Sequence, residues 1–554
     1  MLKKFPILIA ASICSNFLFS QNKPEYANPI LAGFYPDPSI CKAGNAYYLI
    51  NSTFAYFPGL PVFKSYDLVH WKQIGNVINN ASQIDFDGMG VSRGLFAPAI
   101  RFHDGIFYVT CTLVDGKGNF VTTATDPSGS WSNPVWLPEI NGIDPSLFFD
   151  EDKAYIVYNS IPPDNQSLYD GHRTIRINEF DTKQLKVIGD NTILVNGGTD
   201  IAEKPSWIEG PHIVKKDGKY ILYAAQGGTG LGHSEVAFKS NHIFGPYISY
   251  KNNPILTQKN SGNNRKSPIT STGHADLVET ENGKWQAVFL GCRPYETDYY
   301  NTGRETFLAP VEWKDGWPII NPNFETIQYH YPLPFPSNKI KGAENYAGNF
   351  IFEDNFDTAK LQNGWLFLRA PKTSWYYITN KKLTLQLQPQ TCAEKTNPSF
   401  IGRRQQHLNC TAITQLGFNT EKENEKAGLL IFQNESHYYF LAKTIQHNKP
   451  CIQLLKPAKN GEEIIASSTI NPNQKSIQLK IEAKENTYSF YYSINNKNWV
   501  LLAENVDAKF LSTKVAGGFV GSMFALYGTS NGLQSSTKAS FSWFQYSGND
   551  KIYQ

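Results

Sequence analysis

The sequence has little net charge and, after its first twenty residues, no long apolar run. Its 51 Lys and Arg residues nearly balance 48 Asp and Glu, which leaves a formal net charge of +3 on 554 residues. A charge of that size gives no electrostatic reason to expect binding to nucleic acid or to an anionic membrane. Because no later stretch is long and apolar enough to span a bilayer, no membrane-embedded domain is expected.

Cysteine is scarce and scattered. Of the seven cysteines, Cys14 lies in the N-terminal segment, and the other six show no CxxC spacing. A zinc site and a disulfide scaffold are therefore not expected, and most of the six should be buried small apolar residues. A single bridge, such as Cys392–Cys410, stays open.

Aromatic residues are abundant instead. They make up 14% of the chain, with 30 Tyr, 35 Phe and 11 Trp, whereas charged residues make up only 18%. This balance is typical of an all-β protein, and flat aromatic faces suit stacking against sugar rings. A chain of 554 residues is also too long for one hydrophobic core, so two or more domains are expected.

Residues 1–20 have the layout of a secretory signal peptide. Lys3 and Lys4 precede an apolar run from Phe5 to Ile13, and small polar residues follow. A transmembrane anchor is disfavoured because the run is short and interrupted. We therefore expect cleavage near Ser20 and export to the periplasm or beyond.

One short pattern recurs along the next 310 residues and organises them. It is first seen in Gly33–Ile40 (GFYPDPSI), where two prolines hold Asp37 on a stiff, non-helical backbone. The five copies are Asp37–Ile40 (DPSI), Ala97–Ile100 (APAI), Asp144–Leu147 (DPSL), Gly210–Ile213 (GPHI) and His274–Leu277 (HADL). An aromatic strand follows each copy roughly ten residues later. Five copies about 47 to 66 residues apart predict a five-bladed β-propeller over residues 21–330.

A propeller gathers equivalent positions of all blades near its axis, so residues far apart in sequence meet there. The repeat position carries Asp37, Asp144 and His274, and Glu209 lies one residue before it in the fourth copy. Three carboxylates and a histidine are therefore predicted to share one pocket.

The last 200 residues have a different texture. Residues 331–348 begin with YPLPFP and are predicted to form a stiff proline-rich linker. From residue 349 to 554, short alternating strands such as Ser476–Ile481 are separated by Lys, Asn and Gly turns. This pattern predicts a β-sandwich of the jelly-roll or concanavalin-like type.

The predicted pocket suits glycoside hydrolysis, which needs one protonated and one ionised carboxyl group. Glu209 follows an apolar Trp-Ile pair, and apolar surroundings raise the pKa of a glutamate, as a general acid requires. Asp37, on its rigid backbone, suits the base. Asp144 would place negative charge near Glu209, which keeps the acid protonated, and it could also orient that acid.

Five further residues are candidates for contacts with a ligand. His274 could bond a sugar or hold a cation, directly or through water, with a satisfied core histidine as an equal alternative. Arg304 and Arg293 follow the fifth copy, where a guanidinium could hold a sugar hydroxyl or the base carboxylate. Phe54 and Phe96 are candidate stacking platforms, with a buried core role as the alternative.

Six motifs in this order resemble glycoside hydrolase family 43, specifically its two-domain β-xylosidases. They are Gly33–Ile40, Gly142–Phe149 (GIDPSLFF), Ile208–Val214 (IEGPHIV), Gly227–Ser234 (GGTGLGHS), Thr272–Glu279 (TGHADLVE) and Thr302–Leu308 (TGRETFL). Phe400–His407 (FIGRRQQH), Ala427–Leu429 and Gly518–Gly521 (GFVG) resemble that family's C-terminal sandwich. The resemblance covers nearly all of the chain that would remain after cleavage.

The resemblance implies roles for the carboxylates and an inverting mechanism. By matching motif, Asp37 would be the general base, Glu209 the general acid, and Asp144 the group that tunes and orients the acid. Inversion predicts that acid and base lie about 6.5–9.5 Å apart, with room for a water molecule between them.

The resemblance also implies a closed subsite. Arg304, His274 and Phe54 would line the subsite for the non-reducing sugar, and the sandwich would lend a loop that closes the pocket. Some members hold Ca²⁺ near the axis through the histidine that matches His274. One departure is Phe96 before Ala97-Pro98, where relatives commonly carry Trp, and it leaves substrate preference open.

The predicted activity is exo-acting release of xylose from the non-reducing ends of β-1,4-xylooligosaccharides. An α-L-arabinofuranosidase, or an enzyme with both activities, is the alternative, because the two glycosides present similar atoms to a pocket. A non-catalytic carbohydrate-binding propeller is disfavoured by the intact carboxylates. The expected partner is an oligosaccharide and no cofactor is expected to be required, with Ca²⁺ at His274 left open; the sequence does not indicate an oligomeric state.

Overall fold

The computed structural model describes residues 24–262, 265–459 and 461–554. The predicted signal peptide, residues 1–20, lies outside the described residues. No helix within these ranges has the length and hydropathy needed to cross a bilayer. The fold is nearly all β, as the sequence predicts.

The N-terminal domain is a five-bladed propeller of antiparallel sheets. Its strands, in chain order, are β1 (Glu25–Ala27), β2 (Ser39–Ala43), β3 (Ala46–Ile50), β4 (Tyr56–Phe57), β5 (Gly59–Ser65), β6 (Lys72–Ile78), β7 (Gly94–Leu95), β8 (Ala99–His103), β9 (Ile106–Val114), β10 (Gly118–Ala124), β11 (Val135–Trp136), β12 (Gly142–Asp150), β13 (Lys153–Ser160), β14 (Thr174–Asp181), β15 (Lys186–Asn196), β16 (Glu209–Lys216), β17 (Lys219–Gln226), β18 (Ser234–Ser240), β19 (Ile248–Ser249), β20 (Leu256–Thr257), β21 (Thr270–Glu279), β22 (Trp285–Cys292), β23 (Glu305–Lys314), β24 (Trp317–Ile320) and β25 (His330–Pro332). Blade I is β2-β3-β5-β6, blade II contains β7 to β11, blade III is β12 to β15, blade IV contains β16 to β20, and blade V is β21 to β24.

The blades pack because their central strands are apolar on both faces. Every residue of β3 (AYYLI) and of β22 (WQAVFLGC) is buried. Aromatic and β-branched side chains of this kind fit a pleated surface that is covered on both sides. The first strand pairs with the segment that follows blade V: β1 and β25 form a two-stranded sheet of their own, in which Tyr26 lies opposite Tyr331. The proline-rich connection therefore begins after Pro332, two residues later than the sequence pattern predicts.

A buried polar cluster fills the propeller axis. Arg101 lies 2.8 Å from Asp276 and 2.8 Å from His212 Nδ1, and it donates to Ser146 and Ser39. Each of these four partners occupies the third position of a repeat copy. Although burial alone would raise it, the Arg101 charge holds the pKa of Asp276 at about 2. Because Arg101 lies on blade II and its partners lie on the other four, the cluster links all five blades beneath the pocket.

The C-terminal domain is a sandwich of two antiparallel sheets. Its strands are β26 (Ile351–Asp354), β27 (Phe367–Leu368), β28 (Tyr376–Thr379), β29 (Lys382–Gln386), β30 (Ser399–Arg404), β31 (Asn409–Phe418), β32 (Lys426–Asn434), β33 (His437–Gln446), β34 (Lys449–Ala458), β35 (Gly461–Thr469), β36 (Ser476–Lys484), β37 (Thr487–Ser493), β38 (Val500–Asp507), β39 (Met523–Thr529) and β40 (Lys538–Gly548). One sheet has the order β28-β29-β40-β31-β36-β37-β38, with β26 beside β40, and the other has the order β30-β39-β32-β33-β34-β35. In β36 (SIQLKIEAK), buried and solvent-facing residues alternate, as expected for a sheet with one covered face.

Helix is confined to single turns in the described residues. These are α1 (Thr513–Ala516) and the 3₁₀ turns Pro163–Asn165, Ile201–Glu203, Lys509–Leu511 and Lys551–Tyr553. The six cysteines after Cys14 are all buried and free, as expected for small apolar residues, and Cys392 and Cys410 form no bridge.

The two domains share hydrogen bonds and one apolar core. Strand β4 of the propeller pairs with β27 of the sandwich, with Phe57 opposite Phe367. Both phenylalanines belong to a continuous cluster of buried side chains from the two domains, which also includes Leu95 and Trp365. Beside the β4–β27 pair, the propeller and the sandwich therefore share one hydrophobic core.

Candidate active site

A cavity of about 320 Å³ opens at the propeller axis above the polar cluster. That volume lies at the low end for small-molecule pockets in proteins. Seven of the residues predicted from the sequence line it, namely Asp37, Asp144, Glu209, His274, Arg304, Phe54 and Phe96. The structure thus brings together side chains that lie up to 267 residues apart.

Irregularities of the inner strands direct these side chains into the cavity. The register of β12 shifts between Ile143 and Ser146, and that of β16 shifts between Glu209 and His212. Within these shifts Asp144 has a φ of 57° and Gly210 a φ of 58°. A β-bulge leaves an extra residue unpaired and redirects its side chain, which here places the carboxylates towards the axis.

Asp37 is held rigidly at the start of blade I. Its Oδ2 accepts a 2.6 Å hydrogen bond from the Ser52 hydroxyl, and Arg304 Nη1 lies 3.9 Å from Oδ1. The Asn51 amide donates to the carbonyl oxygens of Tyr35 and Pro36, both at 3.0 Å, which fixes the preceding turn. A donor and a nearby cation both favour an ionised carboxylate, as a base requires.

Glu209 begins β16 and lies in surroundings that keep it protonated. Burial raises the pKa of Glu209 to about 7, although the Arg304 charge and a hydrogen bond from Trp207 act in the opposite direction. The Trp207 indole N–H donates to Oε2 at 2.5 Å. A carboxyl group with a pKa near neutrality can donate a proton at the pH at which most enzymes work.

Asp144 is the second buried carboxyl group of this pair. Its Oδ2 accepts a 3.1 Å hydrogen bond from the Gly210 N–H, the residue next to Glu209. Burial first, and then the charges of Glu209 and Asp37, raise the pKa of Asp144 well above its usual value. Because two neighbouring carboxylates cannot both ionise cheaply, the pair Asp144–Glu209 retains a proton near neutral pH.

Two neutral histidines complete the polar wall. Burial lowers the pKa of His274, and it lowers that of His233 to about 3. His233 Nδ1 lies 3.0 Å from the Ser271 carbonyl oxygen, to which it can donate as the neutral tautomer. With its Nδ1–H engaged in this way, neutral His233 keeps Nε2 as an acceptor for a sugar hydroxyl, and neutral His274 likewise adds no charge to the cavity.

The surroundings of His274 do not fit direct coordination of a metal ion by several side chains. Within the described ranges, no group of three or more His, Cys, Asp or Glu side chains is arranged to hold a metal. Calcium prefers six to eight oxygen ligands, and His274 would supply one nitrogen. We therefore derive no catalytic step through a metal.

Three phenylalanines form the apolar wall, and one comes from the sandwich. Phe54 and Phe96 meet edge to face with ring centroids 5.4 Å apart, and Phe519 stacks on Phe54 at 6.0 Å. The Arg304 guanidinium lies over the Phe519 ring at 4.8 Å. A flat ring beside a guanidinium suits a ligand with both an apolar face and hydroxyl groups.

The structure places Arg293 elsewhere, which corrects the expectation that it contacts the ligand. Its side chain is 1% exposed and makes a bidentate pair with Glu305 and a 2.8 Å contact with Asp550. It also donates to the Gln406 carbonyl oxygen at 2.9 Å. These partners occupy the guanidinium and link the propeller to the sandwich.

Several lining residues were not among the predicted site residues, and four of them can contact a ligand through a polar or aromatic side chain, namely Trp207, Thr229, His233 and Phe519. Trp207 stands two positions before the predicted acid, and the next two lie in the glycine-rich motif Gly227–Ser234. Proximity to a candidate acid was an available signal for Trp207. Phe519 lies in the motif Gly518–Gly521, but that motif only marks the sandwich, and the packing of the sandwich on the propeller brings the ring to the cavity.

Comparison with known proteins agrees with this geometry. The family model "Glycosyl hydrolases family 43" matches residues 26–318, and "Beta xylosidase C-terminal Concanavalin A-like domain" matches residues 353–547. The chain belongs to glycosyl hydrolase family 43. It is therefore a glycoside hydrolase, and the family resemblance seen in the sequence motifs is confirmed.

Relatives within family 43 match along almost the whole chain. A "Xylosidase/arabinosidase" of Butyrivibrio fibrisolvens is 37% identical over 93% of this chain and 98% of its own length. A "Non-reducing end alpha-L-arabinofuranosidase" of Bacteroides ovatus is 35% identical over 94% of each chain. A crystal structure of a GH43_12 protein from a capybara gut metagenome is 39% identical, with a TM-score of 0.85 over 92% of this chain and 96% of that one.

Proposed function

We propose that this glycoside hydrolase releases xylose from the non-reducing ends of β-1,4-xylooligosaccharides by a single displacement. The observation that carries the proposal is that Asp37, Asp144 and Glu209 line one small cavity in which burial raises the pKa of Glu209 to about 7. The cavity's volume of about 320 Å³ and its wall at Phe519 suit a terminal sugar rather than the middle of a polymer.

In the proposed mechanism, the carboxyl groups of Glu209 and Asp37 act in one step. Neutral Glu209 gives its proton to the glycosidic oxygen as the bond from C1 to that oxygen breaks. Ionised Asp37, held by Ser52 and Arg304, takes a proton from the water that attacks C1 from the opposite face. Asp144 retains its place beside Glu209 through the Gly210 N–H. The sugar leaves with inverted anomeric configuration.

Release of L-arabinofuranose is the second candidate activity. It is favoured by the two relatives above, one named for both activities and the other for arabinofuranosidase activity. The two substrates share the arrangement of atoms around C1, so the same carboxyl groups would serve both.

Side-by-side assays of the p-nitrophenyl β-D-xylopyranoside and α-L-arabinofuranoside test the proposal. A higher kcat/KM for the xyloside supports the first activity, and the reverse order replaces it with the second.

Asp37→Ala and Glu209→Ala are each expected to remove nearly all activity on xylobiose, while circular dichroism shows a folded protein. Full activity in either variant would contradict the assigned roles.

We also propose that the protein is exported and needs no cofactor for hydrolysis. Export is supported by the basic and then apolar layout of residues 1–20. Expression of the full chain followed by N-terminal sequencing of the exported form tests cleavage near Ser20. Activity after dialysis against EDTA tests the cofactor proposal, and restoration by Ca²⁺ alone would instead support a calcium role near His274.

A further inference from the structure

We propose that Trp207 is the positioning residue of the general acid, because its indole N–H occupies one oxygen of Glu209 and leaves the other to protonate the leaving group. The inference rests on the proposed role of Glu209 as the acid. It concerns a residue that lines the same cavity and that no motif role explains.

The hydrogen bond decides which oxygen of Glu209 carries the proton. Trp207 Nε1 lies 2.5 Å from Glu209 Oε2. An indole N–H is a donor only, so the oxygen that it meets must act as an acceptor. Because a carbonyl oxygen is a better acceptor than a carboxyl hydroxyl oxygen, this bond favours the neutral form that carries its proton on Oε1. Among the described residues Oε1 has no hydrogen-bond partner, which leaves it available to a ligand in the cavity.

The indole itself is held from two sides. Trp207 has a φ of 53°, which is uncommon for a bulky residue, and its backbone N–H donates to the Gly171 carbonyl oxygen at 2.9 Å. The Arg173 guanidinium lies over the ring at 3.9 Å from its centroid. A cation at that distance is attracted by the ring face and limits rotation of the indole.

The same hydrogen bond has an electrostatic consequence. A donor that points at a carboxyl group favours its ionised form and so lowers its pKa. Removal of the Trp207 N–H should therefore raise the pKa of Glu209, whose raised value is caused mainly by burial. A variant without the donor would keep its acid protonated to a higher pH, yet it would use that acid less well.

The test is Trp207→Phe in the full chain, which keeps an aromatic ring and removes the donor. Its kcat is measured on two glycosides of the sugar that the enzyme cleaves, one with a 2,4-dinitrophenyl and one with a methyl leaving group. We expect a loss of about tenfold or more on the methyl glycoside and less than about threefold on the dinitrophenyl glycoside, because only the poor leaving group needs the proton. The basic limb of the pH profile should move to higher pH.

Trp313→Phe is the matched control. Its indole lies under a lysine, with Lys216 Nζ 5.8 Å from the ring, and within the described residues its N–H has no hydrogen-bond partner. This variant should leave the kcat on both glycosides and the pH profile unchanged. Arg173→Met keeps the donor but removes the cation above the ring, and it should shift the dependence on the leaving group in the same direction by a smaller amount. Its pH profile is not a readout of the indole, because the Arg173 charge itself lowers the pKa of Glu209.

Glu209→Gln separates failure of the inference from failure of the proposed function. If it spares the dinitrophenyl glycoside and abolishes cleavage of the methyl glycoside, Glu209 is the acid. Equal losses on both substrates in Trp207→Phe and Arg173→Met, together with an unmoved basic limb in Trp207→Phe, would then overturn the role of Trp207 alone. Equal losses in Glu209→Gln would overturn the acid assignment itself.

Discussion

At the scale of single residues, the site is defined by an imbalance of charge. Asp37, Asp144 and Glu209 line one cavity, and Arg304 is the cation placed among them. Burial makes three ionised carboxylates around one guanidinium costly, so at least one proton is retained near neutral pH. Of the three, Asp37 has both a hydroxyl donor and the nearby guanidinium, which assigns the ionised role to it.

The pH dependence of activity follows from this arrangement. Glu209 must be protonated to act as the acid, and burial raises its pKa to about 7. We therefore expect kcat/KM to be retained below pH 7 and to fall about tenfold per pH unit well above it, since kcat/KM reports groups of the free enzyme. An initial-rate profile in constant ionic strength buffers measures this. A basic limb near pH 4 to 5, where an exposed glutamate titrates, would contradict it.

The residue scale also shows the limit of sequence reasoning. Arg293 and Arg304 both follow the fifth repeat, and the repeat does not separate them, although the motif Thr302–Leu308 contains only Arg304. Only Arg304 reaches the cavity, because Arg293 is engaged by Glu305 and by Asp550, which is 257 residues away. Ion-pair partners at such separation are set by the docking of two domains, and local sequence does not encode them.

At the scale of elements, the bulges on the inner strands direct the side chains of the repeat positions into the active-site cavity. The repeat predicts which residues approach the axis, since its first position recurs in every blade. It does not reveal that β12 and β16 break register at that position. The proline after Asp144 and after Gly210 is the local signal, because proline cannot donate to a sheet and is tolerated at bulges.

Gly210 is the position at which this bulge is most constrained. It has a φ of 58°, and a Cβ placed there would lie 2.7 Å from His274 Cε1. Gly210→Ala should therefore displace His274 or the adjoining Glu209, and we expect kcat/KM to fall at least about tenfold, on the order of one misplaced catalytic contact. Steady-state kinetics on the preferred nitrophenyl glycoside measure the change.

Gly218→Ala is the control for Gly210→Ala. Gly218 lies in the turn between β16 and β17 with a φ of 73°, and a Cβ there would meet nothing within 4 Å. It carries a similar backbone strain without the contact, so a small loss of stability and unchanged kinetics are expected. Equal kcat/KM values for the two variants would show that the close approach of residue 210 to His274 does not affect catalysis.

At the scale of the whole molecule, the sandwich takes part in building the pocket. It supplies Phe519 to the cavity wall, and its strand β30 ends beside the segment that carries the base. Arg404 donates to the Phe34 carbonyl oxygen at 2.7 Å, and its guanidinium lies 4.0 Å from the centroid of the Tyr35 ring. The all-β architecture and its two domains follow from the sequence, whereas this docking depends on shape complementarity that no short pattern expresses.

The Arg293 cluster measures how strongly the two domains depend on each other. Arg293→Met would leave Glu305 and Asp550 buried without their cation, and the loss of one member of a buried pair costs about 3–5 kcal/mol. We expect a clearly lower Tm by differential scanning fluorimetry. Lys153→Met, which breaks the exposed pair with Glu179, should leave Tm nearly unchanged. Equal Tm values for the two variants would contradict the structural role given to Arg293.

The most direct test of the account is the configuration of the sugar at the moment of its release. Proton NMR of a fresh reaction with a β-D-xylopyranoside follows the anomeric signals before mutarotation mixes them. One displacement, with Asp37 activating water and Glu209 protonating the leaving oxygen, predicts that α-xylose appears first and β-xylose only later. Initial release of β-xylose would require a covalent intermediate on the enzyme and would contradict the roles assigned to both carboxyl groups.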